Sequence, residues 1–226
     1  MNWIALFRWR PATVVAVTWV VVAALFPAAQ SAQSQISSHQ PSAENFVRTN
    51  VQTGLDILND HTLSDAERRT RCSEFLTSLT DIRHIALFAL GPARGSVTGA
   101  YVERFVDAFR EYTLAAFALR LKSYSGQGFR VTSSTQESAD EYLVTAVLTN
   151  PPGTNGQREP TEVDFRLASV SGHYVIIDVS FAGLWFGIAE RDALAHYLQD
   201  NSGNIGGLIV HLNLMTVRAR NASLGT

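Results

Sequence analysis

Cysteine is nearly absent from this chain: of its 226 residues, only Cys72 carries a thiol. A single cysteine cannot form an internal disulfide, so the fold must be held together by its hydrophobic core. Cys72 precedes Leu76 by one helical turn and has other apolar neighbours, a setting that favours a buried thiol over a reactive one.

Charge is also scarce, since charged residues make up 17% of the chain and the formal net charge is −2. This balance argues against a nucleic-acid partner, which would need a basic surface. The six histidines are scattered, and none has the spacing of metal ligands. The segment Gly203 to Gly207 lacks the Lys-Ser/Thr of a phosphate-binding loop, so we interpret it as a helix cap. We therefore expect neither a metal nor a cofactor.

The longest uncharged apolar run, Pro11 to Phe26, lies near the N-terminus, directly after a pair of arginines. The small-residue pattern Ala29-Gln30-Ser31 follows it, so we predict a secretory signal peptide over residues 1–31. An uncleaved anchor is the alternative, but the run falls short of the about 20 apolar residues of a spanning helix. Residues 32–42 are rich in Ser and Gln and predict a flexible lead-in.

The first half of the remaining chain has helical periodicity. We predict a helix from Ala43 to Asn59 and a second one opened by the capping-box pattern Ser64-Asp65-Ala66-Glu67. Asp81 is a suitable N-cap for a third helix, Ile82 to Leu90. The longest helical pattern runs from Val97 to about Leu121 and carries an aromatic stripe.

The second half alternates with period two and predicts strands over residues 128–135, 141–149, 161–170 and 173–181. Sequential antiparallel strands after a helical half indicate one α+β domain over residues 43–216, with a curved antiparallel sheet of about four strands. We expect the long helix to pack on this sheet, C-terminal helices to help enclose an apolar cavity, and residues 217–226 to form a disordered tail.

Two blocks of the sequence carry a family pattern. The first runs from Asp81 to Gly91 and is followed by Arg104-Phe105 and Phe109 on the long helix. The second is a strand, a glycine corner and two short helices, represented by Tyr174 to Val179, Gly183, Arg191, Gly203 and Leu208. In order and spacing, the chain resembles the MlaC-type phospholipid-binding proteins, also called the toluene-tolerance family of periplasmic ABC-transport auxiliary proteins, over about residues 43–216.

This resemblance implies a soluble periplasmic carrier and no enzyme. Such a carrier shuttles phospholipid between an outer-membrane lipoprotein complex and an inner-membrane ABC transporter complex, and so supports outer-membrane lipid asymmetry. Three positions depart from the family pattern: His173-Tyr174 replaces a Trp, Trp185 a small polar residue, and Phe117 a Tyr. Because these changes enlarge the apolar surface, the resemblance does not fix which lipid is bound. The hopanoid-associated branch of the family is an alternative.

A small-molecule enzyme is the alternative from another functional class. Asp178 is its best candidate base, because it lies mid-strand among apolar residues and an apolar pocket can tune a carboxylate for catalysis. By strand alternation, however, Asp178 points away from Val175, Ile177 and Val179. We therefore favour a structural carboxylate, bonded to the backbone or paired with an arginine such as Arg191.

For the carrier, we predict a lipid site formed by the aromatic stripe of the long helix, the inward face of the sheet and the corner after the last strand. The predicted lining is Phe105, Phe109, Tyr112, Phe117, Val144, Leu148, Val163, Phe165, Leu167, Val175, Ile177, Val179, Leu184 and Trp185. Each would serve equally well in an ordinary core. At the corner, Leu184-Trp185-Phe186 cannot all enter one core, so at least one should line the cavity mouth or lie exposed.

Overall fold

The computed structural model describes residues 40–121, 128–149 and 160–224. Within these residues the chain forms six α-helices, one 3₁₀ helix and five strands. In chain order they are α1 (Pro41–Asn59), α2 (Asp65–Leu79), α3 (Ile82–Leu90), the 3₁₀ helix (Gly91–Ser96), α4 (Gly99–Leu121), β1 (Gly128–Gln136), β2 (Glu141–Thr149), β3 (Thr161–Val170), β4 (His173–Phe181), β5 (Leu184–Trp185), α5 (Phe186–Asp200) and α6 (Ile205–Leu224).

The strands form one antiparallel sheet in the order β1-β2-β3-β4-β5, so each strand pairs with its neighbour in sequence. This confirms the predicted α+β fold. The bounds of β2, β3 and β4 agree with the prediction, whereas the two-residue strand β5 was not predicted. Ser171 and Gly172, with φ of 52° and 80°, form the predicted tight turn between β3 and β4.

The predicted helix starts are confirmed by their capping contacts. The Ser64 hydroxyl accepts from the amide of Glu67, and the Glu67 carboxylate accepts from the amide of Ser64. Asp81 caps α3 by accepting from the amide of His84 at 2.9 Å. The α3 helix ends at Leu90 and is followed by the cap residue Gly91, whose φ of 58° is a conformation that costs glycine little.

The buried apolar residues form two groups. The helical cluster joins α3, α4, α5 and α6, with Phe105, Phe109, Leu208 and Leu212 among its most buried side chains. The sheet cluster joins the inward face of the sheet to α1 and the end of α2. The prediction that α4 packs on the sheet is therefore wrong: α4 packs mainly against α6 and α3, while α1 packs on β1 and β2.

The C-terminal helices are longer than the sequence suggested. The α6 helix continues to Leu224, so the predicted disordered tail over residues 217–226 is helical for most of its length. Its extension is stabilised by Thr216 and Ala219, which are buried, and by an ion pair between Arg220 and Glu111 of α4. None of the helices in the described ranges has the length and hydropathy of a membrane span.

Candidate functional site

The inward face of the sheet carries most of the predicted strand residues. Val144 of β2 lies opposite Phe165 of β3, which lies opposite Val179 of β4, so the three side chains share one face. Val163 and Leu167 belong to the same buried cluster. Leu148 also lies on this face, opposite Thr161, and is half-buried.

Val175 and Ile177 were placed on this face by simple alternation, and that prediction is wrong. Arg166 pairs with Asp178 and Leu167 pairs with Ile176, so Ile177 is an extra residue without a partner in β3. Such a β-bulge shifts the alternation by one position. Before the bulge Ile176 points inward and Val175 outward, and after it Val179 points inward.

The aromatic stripe of α4 belongs to the helical cluster. Phe105 and Phe109 are 0% exposed, and the Phe109 ring centroid lies 6.3 Å from that of Phe186. The Tyr112 hydroxyl donates to the buried carboxylate of Glu190 at 3.2 Å. Phe117 is half-buried near the end of α4 and belongs to neither cluster. The structure therefore does not bring Phe105, Phe109 and Tyr112 together with the sheet residues.

Other helices supply the apolar residues that cover the sheet. Phe46 and Val51 of α1 and Leu79 of α2 pack against the sheet cluster, which sequence reasoning had not included. The sequence did indicate an apolar face on α1, because Phe46 and Val51 lie on its apolar stripe. The partner of that stripe could not be known, since periodicity shows which face is buried but not against what.

The start of α1 contacts one end of the inward face. Phe46 lies 5.7 Å from the Tyr174 ring, and Gln40 donates from its amide to the Ser134 hydroxyl. Ser134 in turn donates to Glu44 at 2.7 Å. Side chains are half-buried at both ends of the strands: Phe46, Tyr142 and Tyr174 beside the start of α1, and Phe129, Leu148, Val179 and Phe181 at the opposite end.

The outward face of the sheet is polar in its centre. Asp164 accepts from the Thr145 hydroxyl at 2.8 Å and from the Ser180 hydroxyl at 3.0 Å, so a ladder of polar contacts crosses three strands. The sheet therefore presents a polar outer face and an apolar inner one. Only the inner one suits an apolar ligand.

Asp178 lies on the outward side, where it holds the start of α5. Its Oδ1 accepts from the amides of Gly187 and Val179, each at 2.9 Å. Burial raises the pKa of Asp178, and the two amide hydrogen bonds oppose that rise. The interpretation of a carboxylate bonded to the backbone is confirmed. Arg191 is not its partner, because that guanidinium lies over the Phe88 ring.

The predicted corner distributes its three large residues over three environments. Leu184 is 56% exposed, which confirms that at least one of them lies outside a core. Trp185 is half-buried and stacks under the Arg166 guanidinium at 4.6 Å from the ring centroid. Phe186 packs against the helical cluster.

An open groove of about 340 Å³ lies between the start of α4 and the turn that joins α5 to α6. Asn204, one of its lining residues, caps α6 by accepting from the amide of Gly207 at 2.9 Å. This contact confirms the interpretation of the glycine segment as a helix cap. The groove shares no residue with the predicted lipid site. Within the described ranges, no cluster of His, Cys, Asp or Glu could hold a metal ion.

The comparison with known proteins agrees with this geometry. The family model of the MlaC protein matches residues 48–214. This chain belongs to the MlaC family. Curated proteins yield no match to it.

Among solved structures, this MlaC-family chain is similar to the phospholipid-binding protein of Ralstonia solanacearum, which was solved in complex with a phospholipid. The TM-score is 0.67, the identity is 18%, and the match covers 78% of this chain and 98% of the other. At this identity the likeness shows a shared fold.

Proposed function

We propose that this protein is a phospholipid carrier of the periplasm that holds acyl chains against the inward face of its sheet. The observation that carries the proposal is the half-buried apolar end of that face, at Phe129, Leu148, Val179 and Phe181. A buried methylene contributes on the order of 0.8 kcal/mol, so a chain of about 16 carbons would be strongly retained there. Membership of the MlaC family and the phospholipid bound to the Ralstonia protein support this ligand class.

The route follows from the family resemblance. The carrier would take phospholipid between an outer-membrane lipoprotein complex and an inner-membrane ABC transporter complex. Residues 1–31 would direct its export as a cleaved signal peptide, and the mature chain would then work in the periplasm.

The site as proposed differs from the one expected from sequence. We retain Val144, Leu148, Val163, Phe165, Leu167 and Val179, and we add Phe46, Val51 and Leu79 as the helical wall. Phe105, Phe109 and Tyr112 are assigned to the core of the helical scaffold. An enclosed cavity remains our prediction.

Mass spectrometry of organic extracts from the purified protein tests the function directly. We expect co-purifying phospholipid with two acyl chains; a hopanoid in its place would support the alternative branch of the family. The absence of any lipid, together with no uptake from vesicles, would contradict the carrier function.

Substitution by tryptophan tests the position of the site. Leu148→Trp should reduce lipid occupancy several-fold, because a half-buried position can accept a larger ring that then fills the space for the ligand. Phe165→Trp and Leu167→Trp should also reduce occupancy, but Leu167 is fully buried and should lose stability as well. Unchanged occupancy in all three folded variants would place the ligand elsewhere.

Asp178 separates a carrier from an enzyme. Its carboxylate lies on the outward face and is engaged by two backbone amides, a geometry that favours a binding protein over a catalyst. We expect Asp178→Asn to keep full lipid occupancy. Loss of a measurable turnover in that variant, with its fold intact, would favour the enzyme.

A further inference from the structure

The α6 helix has a second apolar stripe that faces solvent. Val210, Leu214 and Val217 are 57%, 53% and 53% exposed. Their spacing of four and three residues puts them on one side of the helix. The residues of the opposite side, Leu208 and Leu212 among them, are buried in the helical cluster.

A helix on the surface of a domain needs one apolar stripe, the one that packs on the core. Single exposed aliphatic residues are common and need no explanation. Three in line over two turns form one patch, and exposed apolar patches are where interaction sites are sought.

The charged residues of α6 itself have one sign. After Asp200 the chain contains no Asp or Glu through Thr226, although the whole chain has a net charge of −2. At 100° per residue, Arg218 and Arg220 lie on opposite flanks of the stripe. Arg220 forms an ion pair with Glu111, whereas Arg218 is exposed and touches the Met215 sulfur.

The composition of the stripe favours a lipid surface over a protein partner. Protein interfaces depend on a few Trp, Tyr or Arg anchors that enter shaped pockets, and stable ones bury about 800 Å² on each side. This stripe holds three aliphatic side chains and no aromatic one. A helix with aliphatic residues flanked by arginines can instead lie in the interface of an anionic bilayer, which demands no shape complementarity.

We propose that the stripe Val210, Leu214 and Val217 rests on the surface of anionic membranes, with Arg218 among the lipid headgroups. The contact is weak and reversible, because a few aliphatic side chains and one or two cations give shallow binding. The inference stands on α6 alone and does not depend on which lipid the sheet holds.

A local fluorescence probe tests this surface in the full chain. A bimane label on Val210→Cys is compared with the same label on Val170→Cys, since Val170 is also an exposed valine, at 54%, but lies in the β3–β4 hairpin. The native Cys72 is buried and should not react. Vesicles of phosphatidylcholine and phosphatidylglycerol carry brominated acyl chains that quench bimane on contact.

We expect about twofold quenching at position 210 and little at position 170, because only the α6 face enters the interface. Binding through residues 1–39 is common to both proteins and cannot produce this difference. In the labelled background, Leu214→Gln should weaken vesicle partitioning about fivefold, since one aliphatic side chain leaves the interface. Arg218→Gln should remove most of the dependence on phosphatidylglycerol.

Equal quenching at both positions, or none at position 210, would overturn the proposal. So would protection of the label at position 210 that rises with protein concentration without vesicles, because the stripe would then be covered by a second copy. Val170→Gln is the matched substitution and should leave partitioning unchanged.

Discussion

The helical cluster and the sheet cluster are both apolar, but they are filled to different degrees. Among the described residues, the helical cluster has fourteen buried members and nine partly buried ones, whereas the sheet cluster has eight and ten. Helices surround the first on several sides. In the second, α1 packs against the sheet, and the side chains are half-buried at both ends of the strands. Completeness of burial therefore separates a scaffold from a candidate site more clearly than composition does.

Alanine substitution of one phenylalanine in each cluster should give the largest effect and tests whether the two clusters differ in burial. Phe109→Ala should lower the free energy of unfolding by about 3–5 kcal/mol, because it empties a fully buried position. Phe129→Ala, at a half-buried position of β1, should cost about 1 kcal/mol and should reduce lipid occupancy. Urea denaturation and lipid extraction measure the two quantities. Equal losses of stability would mean that the sheet cluster is an ordinary core.

A disulfide between α1 and β1 tests whether the covered end of the sheet must open. The Gln40 amide lies 2.7 Å from the Ser134 hydroxyl, so the two positions are neighbours, and a thiol titration shows whether cysteines placed there have joined. In the Cys72→Ser background, the oxidised protein should exchange lipid with vesicles at least about tenfold more slowly if α1 moves during exchange. Reduction with dithiothreitol should restore the rate. An unchanged rate would mean that lipid passes at the half-buried end of the strands.

A smaller loss of stability is expected at Asp178, which links β4 of the sheet to the start of α5. Asp178→Ala should cost about 1 kcal/mol, because the Gly187 amide at the start of α5 loses its partner. Asp178→Asn keeps an oxygen that can accept from this amide. Stability curves over pH compare the two variants with the wild type.

The sign of the pH dependence follows from the raised pKa of Asp178. A carboxyl group whose pKa is higher in the folded state contributes most stability below its unfolded value, and that contribution is lost as pH rises through the folded value. The stability of Asp178→Asn relative to the wild type should therefore increase with pH across this window. A constant difference at all pH values would contradict the raised pKa.

The smallest expected effect concerns His211 in the helical scaffold. Burial, and secondarily the charge of Arg218, lowers the pKa of His211, whose ring lies 4.5 Å from that of Tyr197. The folded state therefore favours neutral imidazole, so its contribution is present above the unfolded pKa of about 6.5 and is lost as pH falls below that value and through the lower pKa of the folded state. His211→Phe should keep the ring contact and flatten this part of the curve. His173→Phe, at an exposed position, is the control.

Local sequence signals predicted most elements of the fold. Caps at Ser64 and Asp81, the turn at Ser171 and the alternation of β2 and β3 depend on neighbours in sequence, so their physics is readable from the chain. The sequence could not predict which helix packs on the sheet, because α1 and α4 both have an apolar stripe. The family resemblance indicated the class of ligand, but it could not show which residues form the helical wall of the proposed lipid site.

The bulge at Ile177 could not be predicted from strand alternation. It also determines how β4 responds to the deletion of a residue. Deleting Ile177 would leave β4 with eight residues and would restore simple alternation with β3. Ile176 would stay opposite Leu167 and Asp178 would stay opposite Arg166, so neither residue would exchange faces. Deleting Val179 instead would keep the bulge and would force the residues on one side of the deletion onto the other face. We therefore expect the deletion of Ile177 to be tolerated better than the deletion of Val179.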